Sequence, residues 1–157
     1  MTAKKEGLKL LLVWMATHFL LVTIIFFPEI HWSNPSGDVW LYFHYANLLI
    51  SGKVPYRDFS PEYPPLALPF FVLPRLFARD FNAYFQIYNL EVLAVEAATL
   101  AIILGIVYRC YPDSKRRLHP LYAYILLVSS GGQIFLNRYD ALPAFLVTLA
   151  IYLYARG

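Results

Sequence analysis

Charge is what this chain has least of. Only 15% of its 157 residues are charged while 59% are hydrophobic, where a soluble domain carries about 25% charged and 45–50% apolar residues. The shortage points away from a soluble domain and toward a membrane protein. A single cysteine, Cys110, leaves no internal disulfide to form. Glycine and proline are scattered, so there is no low-complexity linker, and no internal repeat stands out. Tight metal-ligand spacing is absent as well. His31, His44, Asp38 and Glu62 could be assembled only with difficulty, because His44 falls about 120° around a helix from Asp38. Neither a metal nor another cofactor is expected.

The net charge of +3 and pI near 9.0 would suggest nucleic acid in a soluble chain. Their placement says otherwise. Lys4, Lys5 and Lys9 precede the first apolar run, and Arg109, Lys115, Arg116 and Arg117 sit between later ones, the pattern of cytoplasmic loops under the positive-inside rule. Nucleic acid is therefore not an expected partner, whereas membrane lipids are. Thirteen Tyr, twelve Phe and three Trp suit a chain that crosses the headgroup level repeatedly.

The first apolar run, Leu10 to Phe27, is ended by Pro28 and is close to the roughly 20 residues a helix needs to span a bilayer. A signal peptide would be shorter and end in small residues, which Phe26, Phe27 and Pro28 are not. The run reads as a retained span leading outward. Tyr84 to Tyr108 returns to the basic YRCYPDSKRR segment, Leu121 to Leu136 goes out again, and Ala141 to Ala155 comes back after the short NRYD turn. The expectation is an all-α polytopic protein with spans at 10–27, 84–108, 121–136 and 141–155 and an external loop over 28–83. Both ends are then cytoplasmic. Four spans enclose a thin core, and the chain stops at Gly157 without a tail, so it reads as the N-terminal part of something longer.

A loop of that length is usually functional. Within it, Ser36, Gly37 and Asp38 start a helix that Gly52 and Pro55 stop, expected to lie along the membrane surface with Asp38, Tyr42, Tyr45 and Leu49 on one face. Tyr63, Pro64 and Pro65 kink the chain back toward the bilayer. Leu66 to Phe77, broken by Pro69 and Pro74, is too short to span and reads as a re-entrant or interfacial segment. Inside the spans, His18, Glu91 and Glu96 need a reason, because a charge at the bilayer centre costs about 2.5–3.5 kcal/mol on insertion scales. Packing against other helices is the preferred one.

Asp38, Asp58, Glu62, Arg138 and Asp140 all fall on the external side. Three segments carry a likeness: GDVWLYFHYANLLISGKVPY, RDFSPEYPPLALPFFVLP and NRYDALPAFLVTLAIYLYARG. Together they resemble glycosyltransferase family 87, of the GT-C fold, which includes polyprenyl-phosphate-mannose-dependent mannosyltransferases. The resemblance covers nearly the whole chain. It implies transfer of mannose, or another hexose or pentose, from a polyprenyl-phosphate donor to a glycolipid or glycan acceptor. Transfer would occur on the external face of a prokaryotic plasma membrane, with inversion. A piece of such an enzyme is not expected to be active alone.

The family's first-loop catalytic acid matches Asp38, which would take the acceptor proton, a contribution of roughly 10²- to 10⁴-fold. The competing reading is a helix N-cap. Asp58 is the reserve base, although a backbone bond in the turn after Pro55 explains it equally; Glu62 reads as a structural partner for Arg57 or Lys53. Arg138, then Arg57 and Lys53, are the cations for the donor phosphate, with an Arg138 to Asp140 surface pair as the alternative. Arg75 and Arg79 read as interfacial anchors. Tyr42, Tyr45, Tyr56, Tyr63 and Asp140 complete the substrate-binding set. The rival class is a non-enzymatic module, such as a lipid-linked-sugar transporter subunit or a scaffold, which should line a midplane path with ionisable groups rather than gather them at one surface.

Overall fold

A computed structural model describes residues 3–26, 37–112 and 116–156. Six α-helices appear in it: α1 (Ala3–Phe26), α2 (Asp38–Ile50), α3 (Leu68–Arg75), α4 (Phe81–Cys110), α5 (His119–Leu136) and α6 (Ala141–Arg156), with a 3₁₀ turn at Pro65–Ala67 leading into α3. No strand occurs among the described residues, so the all-α expectation holds. His31 and the start of the expected external loop lie outside the described residues.

Long helices α1, α4, α5 and α6 lie side by side with alternating sense. Glu6 near the start of α1 meets Tyr108 near the end of α4, Trp14 meets Glu96, and Leu21 packs on Leu93; the two helices are antiparallel. Leu10 clusters with Leu121 and Ile125 and Leu21 with Leu136, so α5 runs with α1. Tyr152 abuts Gly105 while Ala141 joins the cluster around Tyr88, so α6 runs with α4. One end of the assembly therefore carries Glu6, Arg109 and Arg117, and the other Asp38 and the NRYD turn.

By length and hydropathy, two helices among the described residues can cross a membrane, at Lys5–Thr23 and Phe81–Cys110. The last helix is apolar but shorter, as is the Pro65–Arg75 segment. The expected third span is not one unbroken helix: Gly132 has φ 52° and ψ −130°, a region open to glycine and closed to most side chains. Helix α4 starts earlier than the apolar run suggested, because the Asp80 carboxylate accepts the Ala83 N–H at 2.9 Å and caps it.

The segment expected to form the external loop packs, over its described residues, as a small aromatic core. Val39, Tyr42, Tyr45 and Ala46 of α2 are buried against Phe70 and Phe71 of α3 and Tyr84 and Tyr88 of α4. Tyr42 stacks on Phe71 with centroids 4.1 Å apart, and the Tyr84 hydroxyl donates to the Phe71 carbonyl at 2.9 Å. The tyrosine face of α2 is thus its core face. Its C-terminus closes as a Schellman motif, with Gly52 N–H on Leu49 O and Lys53 N–H on Leu48 O, each 3.0 Å. Arg75, expected as an interfacial anchor, spends its guanidinium on protein partners. Its Nε–H donates to Asn47 Oδ1 at 2.7 Å and its Nη1 to the Ala78 carbonyl, fastening α3 to α2.

Candidate functional site

Two parts of the chain distant in sequence meet at the loop end. The NRYD turn links α5 to α6, its backbone held by Leu142 N–H on Tyr139 O and Ala144 N–H on Asp140 O. From it, Arg138 Nε lies 3.3 Å from Asp38 Oδ2 and 3.3 Å from Asp140 Oδ2. Asp140 first and then Asp38 hold the guanidinium even more firmly protonated than usual. All three side chains are reachable from outside, Asp38 the least so at 35% exposure against 53% and 66% for its partners.

Asp38 is not the helix cap. Gly37 occupies that position in extended backbone with no side-chain bond, and Asp38 is the first residue of α2. Its carboxylate is thereby directed at Arg138 rather than at the α2 backbone, while still lying at the positive end of the helix dipole.

Beside the charges lies a wall of tyrosines. The Tyr42 and Tyr63 hydroxyls are 3.2 Å apart, and the Tyr63 ring meets Tyr139 edge-on at 4.9 Å and Phe71 at 5.3 Å. Burial pushes the Tyr42 hydroxyl far above its ordinary range; burial, with the nearby Asp38 charge adding to it, raises that of Tyr63. Both stay protonated and act as hydrogen-bonding groups, not bases. Tyr42 and Tyr45 are fully or almost fully buried, and Tyr45 stacks on Phe59 while its oxygen accepts the Glu62 N–H. Neither offers a ring face to a sugar, which corrects their expected role. Tyr63, half-buried, remains beside the charged cluster, and Tyr56, exposed, donates to the Tyr63 carbonyl at 2.8 Å. Sequence reasoning passed over Tyr139, although its place between Arg138 and Asp140 was the signal for it.

Asp58 and Arg57 form a unit of their own. The guanidinium grips the carboxylate with two bonds of 2.9 Å, and Asp58 Oδ2 also accepts the Val54 N–H at 2.8 Å. Arg57, followed by the Val54 N–H, holds the Asp58 carboxyl below its ordinary value. A carboxylate with both oxygens engaged in closing a turn makes a poor reserve base, and its arginine a poor free phosphate ligand. No ion pair joins Glu62 to Arg57 or Lys53 among the described residues; Glu62 and Lys53 are exposed. Nor do three or more His, Cys, Asp or Glu gather there in a way that could hold a metal.

Chemically, the cluster offers a carboxylate next to a guanidinium at the mouth of an aromatic core. It can accept a proton from a hydroxyl and bind an anion at neighbouring points. No family model, curated protein or solved structure matches this chain.

Proposed function

We propose that this chain supplies the acceptor-activating part of a GT-C-like membrane glycosyltransferase, resembling family 87, with Asp38 as the general base. The observation that carries the reading is the 3.3 Å approach of Arg138 to Asp38, which joins the first external segment to the turn between α5 and α6. In the reaction, the acceptor hydroxyl oxygen attacks the anomeric carbon of a polyprenyl-phosphate sugar. Its proton passes to Asp38, and the bond from the anomeric carbon to the phosphate oxygen breaks. One displacement inverts the anomeric centre. Arg138 receives the phosphate by exchanging its contact with Asp140, which releases a planar fork for two phosphate oxygens.

The wider reading has four spans, with α5 and α6 crossing beside α1 and α4, both ends cytoplasmic and the cluster on the external face of a prokaryotic plasma membrane. Large apolar side chains left exposed on these helices support it, among them Phe19 at 72%, Leu127 at 73% and Ile134 at 76%; so broad an apolar surface belongs against lipid or further helices. The sugar is mannose or another hexose or pentose, and the acceptor a glycolipid or glycan.

The test uses membranes carrying the full-length gene product and labelled polyprenyl-phosphate sugars. Asp38→Asn is expected to lower transfer by roughly 10²- to 10⁴-fold with insertion unchanged. Near-normal turnover in that variant removes Asp38 as the base. A second reading, a lipid-linked-sugar transporter subunit, is favoured by one observation: His18 and Glu96 sit buried together at the middle of α4. Transport of a labelled lipid-linked sugar without transfer would support it.

A further inference from the structure

The buried pair at the middle of α4 has features that neither sugar transfer nor packing uses. Glu96 is 1% and His18 2% exposed. Glu96 Oε2 accepts the Trp14 indole N–H at 2.8 Å and faces His18 Nε2 at 3.4 Å. Trp14 also stacks on the His18 ring at 4.6 Å, which fixes the imidazole's orientation.

Proton positions follow from the neighbours. His18 Nδ1 lies 3.0 Å from the Trp14 carbonyl oxygen, which can only accept, so Nδ1 carries a hydrogen. Thr17 Oγ1, also 3.1 Å from Nδ1, spends its own hydrogen on the Val13 or Trp14 carbonyl and receives the ring N–H as well. A neutral imidazole then presents a bare lone pair at Nε2. Against an ionised carboxylate the contact would set lone pair against lone pair, with an unpaired charge buried between helices. One further proton on either partner turns it into a donor–acceptor contact and makes the pair neutral.

That proton has a route. Glu96 Oε1 is buried without a protein partner, and Glu96 lines a cavity of about 240 Å³ together with Thr99, Tyr124, Ala141, Ala144 and Asp140. A water needs only about 10–15 Å³ of such space and polar neighbours, so several fit in the cavity that Glu96 and Tyr124 line. Asp140 at the cavity wall is exposed, which opens the space toward the NRYD side.

We propose that Glu96 and His18 form a proton-binding site inside the helix bundle, hydrated through the α4–α5–α6 cavity that reaches Asp140. The titratable groups facing it are His18 from α1, Tyr124 from α5 and Asp140 from the turn before α6; α4 itself adds Thr99, which does not titrate. The site holds one proton shared between carboxylate and imidazole, and exchanges it from the side that carries the Asp38 cluster. It does not depend on sugar transfer.

The experiment is infrared difference spectroscopy of the full-length gene product in proteoliposomes, stepped from mildly acidic to alkaline buffer in light and heavy water. The expected result is a deuterium-sensitive change, in either a carboxylic acid or an imidazolium band, that is lost in Glu96→Gln. Identical difference spectra in wild type and Glu96→Gln overturn the proposal. Should Glu96→Gln fail to insert, His18→Asn reads the same band, and an unaltered band there overturns it equally. Ala144→Leu fills the cavity and leaves the pair in place; slowed deuterium uptake by the band supports the route, and unchanged uptake overturns it.

Discussion

Arg138 stands between two acids, and this arrangement decides what each substitution at the cluster should do. Replacing it with Gln removes the cation that contacts both Asp38 and Asp140, so transfer should fall by about 10²- to 10³-fold, the usual loss when a preorganised electrostatic donor is deleted. The guanidinium is exposed, so thermal stability should barely move; a large drop in melting temperature alongside lost activity would instead assign Arg138 to structure. Asp58 calls for a different experiment. Its carboxyl is held below its ordinary value by Arg57 and the Val54 N–H, so it stabilises the loop above the ordinary carboxylate range and loses that contribution as pH falls through its lowered value. Acid melts should show this dependence in the wild type and not in Asp58→Asn, while transfer at neutral pH stays near normal.

Much of this was legible residue by residue. An acid at a helix start and the NRYD turn are local signals, and placing both at one end of the bundle required only the order of apolar runs. The partners of Tyr42 and Tyr45 were not legible. Both faces of α2 are aromatic or apolar, so periodicity gave a helix from Asp38 to about Gly52 without saying which stripe α3 and α4 would cover.

At the scale of elements, the break in α5 is the feature that hydropathy could not reveal. Leu121 to Leu136 is apolar throughout, and a run of small residues at Ser129 to Gly132 gives no sign of where the backbone turns. Gly132 lies in a conformation that strains any other residue by about 1–3 kcal/mol. Gly132→Ala should destabilise the protein by that amount in denaturant melts; no loss would mean that α5 can straighten in the membrane. The start of α4, in contrast, was written in the sequence as Asp80 three residues before Ala83.

For the whole molecule, four helices of alternating sense put the basic end and the Asp38 end on opposite sides. Cys110 is exposed at the basic end and serves as a built-in topology marker. A membrane-impermeant maleimide should leave it unlabelled in intact cells and label it after permeabilisation, whereas Asp140→Cys in a Cys110→Ser background should react in intact cells. The reverse pattern would invert the orientation and move the cluster to the cytoplasm.

The bond between Trp14 and Glu96 spans 82 positions of sequence, and that interval is also an interval of time. During synthesis α1, with His18 on its flank, is made before its counterpart on α4. Until α4 arrives, each helix carries a polar group that lipid cannot satisfy. If the chain inserts as four spans, that encounter waits for α4 and precedes α5 and α6, and the nascent chain then has reason to keep α1 near its insertion machinery until α4 is made.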